Sequence, residues 1–298
     1  MVEVRRALII ANPASRLAIA RLPLVREAFA RAGVSCDEAL TERPGHAAVI
    51  ATERGADFDA VFTLGGDGTA MEVVGALTGG AIPVGILPGG TGNLIARALG
   101  TPPQVGRAVA ALLGGVVREI DLGRLDDGRH FAFAAGIGID ATMVAATTAR
   151  AKRLYGVSAY VRTGVQASLA PQRFTLRATV DGVPHTFEAA AALVANFGAV
   201  LRGLLTLGPA ISPDDGMLDL CVFSPTDASD AVRLGWRIVR RDFAPDPAMH
   251  FLKGRTFHLE TDPPRAAQAD GELIGTTPLG VTLVPRAARL LAPAHAGR

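Results

Sequence analysis

The chain has little cysteine, no marked excess of charge of one sign, and no long uninterrupted apolar run. Its 298 residues include two cysteines, Cys36 and Cys221. They stand far apart and match no metal-ligand spacing, so they are predicted to be small buried hydrophobes in a reducing cytosol. Thirty basic residues face 28 acidic ones, a formal net charge of +2. That balance argues against a general nucleic-acid binder, and no nucleic-acid partner is expected. The longest charge-free stretch, 73–96, is broken by seven glycines and two prolines. A membrane-spanning helix needs about twenty continuous apolar residues, so no transmembrane segment is predicted. Glu3, Arg5 and Arg6 interrupt the N-terminus before any apolar core, and no secretory signal is read there.

What is present is a globular composition, 49% hydrophobic and 19% charged, in a chain long enough for two modest domains. One stretch organises it: Val61-Phe62-Thr63-Leu64-Gly65-Gly66-Asp67-Gly68-Thr69-Ala70-Met71-Glu72. The apolar run reads as a buried strand, the glycines as a turn, and 70–77 as a helix. Glycines let a backbone approach closely, and a helix N-terminus presents unpaired N–H groups and the positive end of the dipole. Together these favour phosphate. Asp67 would repel a bare phosphate, so it suits a ribose hydroxyl or a magnesium ion bridging to phosphates. A plain βα turn with an Asx hydrogen bond is the alternative. The same pattern returns about twenty residues on, as the strand 84–88, then Gly89-Gly90-Thr91-Gly92-Asn93, then a helix over 94–99 ended by Gly100. Two such units would line their turns along the carboxyl edge of one sheet, where open α/β sheets bind ligands.

Residues 7–123 alternate strand and helix throughout. Strands are predicted at 7–11 and 34–40, with helices over about 19–32, 47–54 and 104–113. Such alternation implies a parallel, doubly wound α/β sheet. Asn12, Thr41, Gly65 to Thr69 and Thr91 would then sit at strand C-termini. After Gly123 the texture changes to turns and hairpins. Asp126-Asp127-Gly128 and Asp181-Gly182 read as turns, with further strands at 174–180, 184–190, 191–196, 218–223, 256–260 and 281–284. This argues for a mostly antiparallel second domain such as a β-sandwich. The predicted division is 1–123 and 124–285.

Three features of the second half carry chemistry. Asp270-Gly271-Glu272 places two carboxylates around a turn, as a proton acceptor with a magnesium partner requires; an ordinary Asp-Gly hairpin is the competing reading. Ser212-Pro213-Asp214-Asp215-Gly216-Met217-Leu218-Asp219 alternates carboxylates with turn carbonyls, which suits a hard cation or a solvated acidic turn. Arg233, Arg237, Arg240 and Arg241 share one face of a helix over about 227–241, and Arg150, Lys152 and Arg153 form another basic cluster. Either could meet anionic lipid headgroups, although a solvated face is the simpler reading.

The residues Asn12-Pro13-Ala14-Ser15, Gly65-Gly66-Asp67-Gly68-Thr69 with Glu72, and Pro88-Gly89-Gly90-Thr91-Gly92-Asn93 come in a fixed order with Gly136-Ile137-Gly138-Ile139-Asp140-Ala141, Asp215-Gly216-Met217-Leu218-Asp219 and Asp270-Gly271-Glu272. In that order the sequence resembles the diacylglycerol kinase catalytic domain family, in particular the soluble bacterial lipid kinases. The Gly-Gly-Asp-Gly element alone is shared with NAD kinases and phosphofructokinases; Pro-Gly-Gly-Thr-Gly-Asn is more specific. Arg16 and Leu94 depart from the commonest family pattern.

The resemblance implies a nucleotide-binding α/β domain and a lipid-substrate β-sandwich, with the active site in the cleft between them and the tail 286–298 packing back on the first. It implies ATP as co-substrate with magnesium, bound through Asn12, Thr41, Gly65, Gly66, Asp67, Gly68, Thr69, Glu72, Gly90, Thr91 and Asn93. It makes Glu272 the general base and Asp270 a metal or electrostatic partner. It implies a structural magnesium held by Asp215 and the carbonyls of Ser212 and Met217, and a substrate-side place for Asp140, which otherwise reads as a helix cap. The partner would be a lipid acceptor such as diacylglycerol, met at a membrane surface by a cytoplasmic protein. The oligomeric state stays open, a homodimer being one option. Two other readings compete: an NAD kinase-like enzyme with a soluble substrate, and a non-catalytic nucleotide or lipid sensor.

Overall fold

The computed structural model describes residues 3–138, 173–200 and 205–294. The chain divides into two compact units, Met1–Ile120 with Arg286–Arg298, and Asp121–Pro285. In the first unit, strands β1 (Arg6–Ala11), β2 (Ser35–Leu40), β3 (Ala60–Gly65) and β4 (Val84–Pro88) form a parallel sheet in the order β2-β1-β3-β4. β3 and β4 are buried along their whole length. That is why they read as unbroken apolar runs, since a parallel strand is covered on both faces.

Helices cover those faces. α1 (Arg16–Arg31) starts at Ser15, whose hydroxyl accepts the Ala18 N–H, and is followed by Gly33 at φ +72°. It buries Ala18, Leu22, Val25 and Phe29, one stripe at helical spacing, against the sheet and α5 (Val105–Leu113). α2 (His46–Arg54) and α3 (Asp67–Ala76) pack together, and α4 (Leu94–Ala98) is a short helix after β4. The helix expected over 70–77 therefore begins earlier, at Asp67, so the Asp67, Gly68 and Thr69 of the motif form its first turn. A helix may begin wherever amide donors can be left unpaired toward a ligand, and propensity alone does not mark that point.

The second unit is antiparallel. One sheet runs β14-β13-β10-β7-β16-β17, from strands β7 (Ala134–Gly138), β10 (Ala191–Ala195), β13 (Leu218–Phe223), β14 (Met249–Gly254), β16 (Ala266–Ala269) and β17 (Glu272–Thr276). Facing it are β8 (Phe174–Val180), β9 (Val183–Ala189), β15 (Thr256–Asp262) and the first part of β18 (Leu279–Ala292). One core cluster draws on both layers, including Leu176, Phe257, Leu220 and Val222, as in a sandwich. β5 (Val116–Leu125) pairs with β6 (His130–Phe131), and β11 (Ala199–Val200) with β12 (Leu205–Thr206). The helix α6 (Ala228–Arg240) lies between β13 and β14 in sequence. The predicted strand at 281–284 is a fragment of the 14-residue β18, whose Leu290 pairs with Val84 of the first unit's sheet.

Candidate active site

The ends of the four parallel strands of the first unit lead into expected phosphate-site residues. Asn12 follows β1, Thr41 follows β2, Gly66 follows β3 and Gly89 follows β4. The register aligns Ala11 with Leu40 and Leu64, and Gly65 with Pro88, so these ends share one sheet edge. The two glycine turns are held against each other. The Gly89 amide donates to the Gly65 carbonyl at 3.1 Å. A Cβ on Gly89 would stand 2.6 Å from the Gly65 nitrogen, and one on Gly90 would stand 2.7 Å from the Gly66 Cα. Side chains at Gly89 and Gly90 are thus excluded by backbone proximity.

Side chains lock the edge. Asn12 Nδ2 donates to Thr69 Oγ1 at 3.1 Å, and its Oδ1 accepts the Ala14 amide at 2.9 Å. Asn93, at φ 50°, closes the second turn on itself: its Oδ1 accepts the Gly90 amide at 2.8 Å and its Nδ2 donates to the Gly90 carbonyl at 2.7 Å. Ser15 donates to the Gly89 carbonyl at 2.6 Å, and Arg21 donates to the Pro88 carbonyl. Thr41 and Thr69 are buried and Thr91 is exposed. No side chain caps α3 at Gly66. Its first-turn amides therefore meet the requirement for an anion at a helix N-terminus.

Of the two carboxylates expected to serve the nucleotide, Glu72 has another use. Glu72 accepts the Gly45 amide at 2.9 Å and the Ala47 amide at 3.0 Å, so it caps α2 from a neighbouring helix. Asp67 Oδ1 accepts the Ile95 amide at 3.4 Å. Burial holds its carboxyl above the ordinary value, against the Ile95, Leu94 and Asn93 amides, which favour the charged form.

In the second unit Asp270 and Gly271 form the turn between β16 and β17, with φ 46° and 85°. Both Asp270 oxygens receive backbone amides: Oδ2 from Ala132 at 2.8 Å, Oδ1 from Phe133 at 2.8 Å and from Ala134 at 3.0 Å. These three amides tie the Asp270 carboxylate to the segment that leads into β7. Gln268, buried, adds its Oε1 to the Gly271 amide at 2.8 Å. The hairpin so fixed leaves Glu272 exposed at the first position of β17.

The acidic turn does not fit the expected cation as it stands. Asp215 Oδ1 accepts the Met217 amide at 3.1 Å, and Oδ2 receives the Lys253 ammonium at 2.7 Å. Ser212 donates its hydroxyl to Asp214 at 2.6 Å. Lys253 also stands 3.7 Å from Asp219 Oδ2, which is buried and has no hydrogen-bond partner; burial pushes the Asp219 carboxyl up to about 6. The lysine supplies the positive charge, and a magnesium on Asp215 would require its ammonium to move away. Among the described residues no group of three ligating side chains is gathered for a metal.

Lys253, Ser15, Arg21 and Gln268 were not singled out from the sequence as site residues. Lys253, Ser15 and Arg21 act on residues remote in the chain, and no local pattern marks that; Gln268 acts on Gly271 within its own hairpin. The arginine face is also revised: Arg233 and Arg237 are bound to Asp230, Asp242 and Asp246. Asp140, Arg150, Lys152 and Arg153 lie outside the described residues.

Residues 6–125 match the diacylglycerol kinase catalytic domain model, and residues 134–292 match the YegS C-terminal NAD kinase beta sandwich-like domain. A Staphylococcus aureus (strain MSSA476) protein named "Putative lipid kinase" is 27% identical over 244 residues, which are 79% of this chain and 77% of that protein. An uncharacterized protein of Synechocystis is 31% identical over 238 residues, 78% of this chain and 54% of that protein, so the match spans about half the relative's length. Two solved structures from Bacillus anthracis, both described as diacylglycerol kinases and one of them as "putative", share the fold. Their TM-scores are 0.82 and 0.75 at 24% and 21% identity, with 100% of this chain covered and 98% and 100% of theirs. With both of its units matched in succession and its motifs in the family's order, the chain belongs to the diacylglycerol kinase catalytic domain family, carrying the YegS-type sandwich domain behind the catalytic one.

Proposed function

We propose that this protein is a lipid kinase that transfers the γ-phosphoryl group of magnesium ATP to a hydroxyl of diacylglycerol or a related lipid. The observation that carries the reading is the pair of abutting glycine turns at one sheet edge, beside the uncapped start of α3. Amides of that start hold phosphate oxygens, with Asn12, Thr41 and Thr91 beside them. Magnesium bound with the nucleotide would supply charge neutralisation on the phosphates. Glu272 takes the proton as the lipid oxygen bonds to the γ-phosphorus and the bond to the bridging oxygen breaks, releasing ADP. Asp270 keeps the Glu272 hairpin in place through its three amides.

The test is transfer of label from γ-labelled ATP into a lipid extract, with Glu272→Ala alongside. A labelled lipid made by the native protein and absent with the variant supports the assignment. Equal labelling by both removes Glu272 from the mechanism. The description of the second domain as NAD kinase-like favours one other reading, a soluble dinucleotide acceptor. Phosphorylation of NAD, with no lipid labelled, would decide for it.

A further inference from the structure

We infer that the outward face of α6 is a membrane-docking surface, seating Val232, Trp236 and Val239 in the headgroup region of an anionic bilayer. This rests on the lipid-kinase reading, which requires the enzyme to reach a substrate that stays in a membrane.

The helix has two unlike sides. Inward, Leu234 is buried with Ala248 and Met249, and Phe223 and Phe251 pack on them. Outward, Val232, Trp236 and Val239 are 68%, 59% and 45% exposed, and Trp236 is the chain's one tryptophan. Their spacing of four and three residues puts them in a single stripe. An inner cluster of this size needs one face of α6; it gives no reason for a second apolar face.

Charge indicates what covers that face. Asp227 caps the helix by accepting the Asp230 amide at 2.9 Å. Asp230 receives Arg233 at 2.6 Å, Asp242 receives Arg237 at 3.1 Å, and Asp246 receives both arginines. These carboxylates are all engaged beside the stripe, not within it. Arg240 instead stands over the Trp236 ring, its guanidinium carbon 5.0 Å from the centroid. The stripe thus shows apolar surface topped by positive charge. A protein partner selects for a particular shape and polar pattern. A bilayer with anionic lipids needs only shallow apolar side chains, an interfacial aromatic and a cation, and these are what α6 offers. Arg233 and Arg237, the residues a helical-wheel argument would select, are the ones already neutralised.

The experiment is co-sedimentation of the full chain with vesicles of phosphatidylcholine plus phosphatidylglycerol, and of phosphatidylcholine alone, for the native protein, Trp236→Glu and Val232→Glu. All three are also assayed on diacylglycerol in vesicles and on a short-chain, water-dispersed diacylglycerol. These positions are exposed, so thermal melting is expected to be unchanged. The expected result is binding to the anionic vesicles, weakened by salt, that falls about ten-fold or more in either variant. Phosphorylation in vesicles would fall with it, while that of the dispersed substrate would not. Native-like vesicle binding by both variants overturns the inference, as does a native protein that binds neither vesicle. Sedimentation showing that Trp236→Glu dissociates an oligomer also overturns it, in favour of a second copy of this chain. Trp236-dependent vesicle binding with no lipid phosphorylated in any form leaves the docking surface standing and removes the kinase reading.

Discussion

The glycine turns of the first unit and the Asp270–Gly271 turn of the second both set a carboxylate beside glycine, but for opposite physical reasons. In the first unit glycine is needed for closeness. The two turns touch backbone to backbone, and any Cβ on Gly89 or Gly90 would collide with the chain next to it. In the second, a Cβ on Gly271 would find nothing within 4 Å, and the requirement is the φ of +85°. The carboxylates differ too. Asp67, half-buried at a helix start, accepts the Ile95 amide, whereas Asp270 accepts three amides from the segment before β7. One turn is set by backbone contact, the other by backbone conformation.

Five substitutions can break or sharpen that contrast. Glu272→Ala should lower turnover by about 10²–10⁴-fold with no change in melting temperature, because an exposed general base contributes to the reaction and not to folding. Steady-state rates and a thermal melt on the same sample check it. Asp270→Ala should do the reverse in part. Three amides lose a charged acceptor, a stability loss on the order of 3 kcal/mol by urea titration, with activity falling because the hairpin loosens. Gly90→Ala should cost about 2–3 kcal/mol by overpacking and should abolish nucleotide binding by calorimetry. Gly271→Ala, meeting no neighbour, should cost about 1–2 kcal/mol from backbone strain alone. If Gly90→Ala and Gly271→Ala cost the same, the distinction between closeness and conformation is wrong.

The smallest effect concerns acid. The Arg233 guanidinium holds the Asp246 carboxyl down to about 2. The folded protein thus sheds that proton at a pH where the unfolded chain, near 3.9, still binds it. The stability is present above about pH 4 and is lost as pH falls toward 2. Asp246→Asn should flatten that stretch of a pH series of melts without touching turnover.

The α/β order was legible because each glycine turn is local: strand, turn and helix occupy about fifteen consecutive residues, and the apolar runs of β3 and β4 announce their burial. Several strands of the second unit were not legible. β16 is Ala266–Ala269, with no β-branched or aromatic residue, and it is a strand only because β7 and β17 pair with it. β14 and β17 are short and weakly patterned, and β18 was seen only in its most apolar stretch. The site residues divide along the same line. Asn12, Gly65 to Thr69 and Gly89 to Asn93 were named from pattern, and the register brings them to one edge.

By itself the sequence determined where the glycine turns of the first unit fall and the alternation that makes a parallel sheet. Those properties depend on residue type and near spacing. Only the tertiary structure decided how each charge is used. Glu72 caps a different helix, Asp270 holds three amides 136 to 138 positions away, Lys253 fills the place expected for a cation beside Asp215, and Arg233 and Arg237 are neutralised while Trp236 and Arg240 face outward. A charge takes its role from whichever partner lies within a few ångströms, and in this protein those partners come from distant parts of the chain.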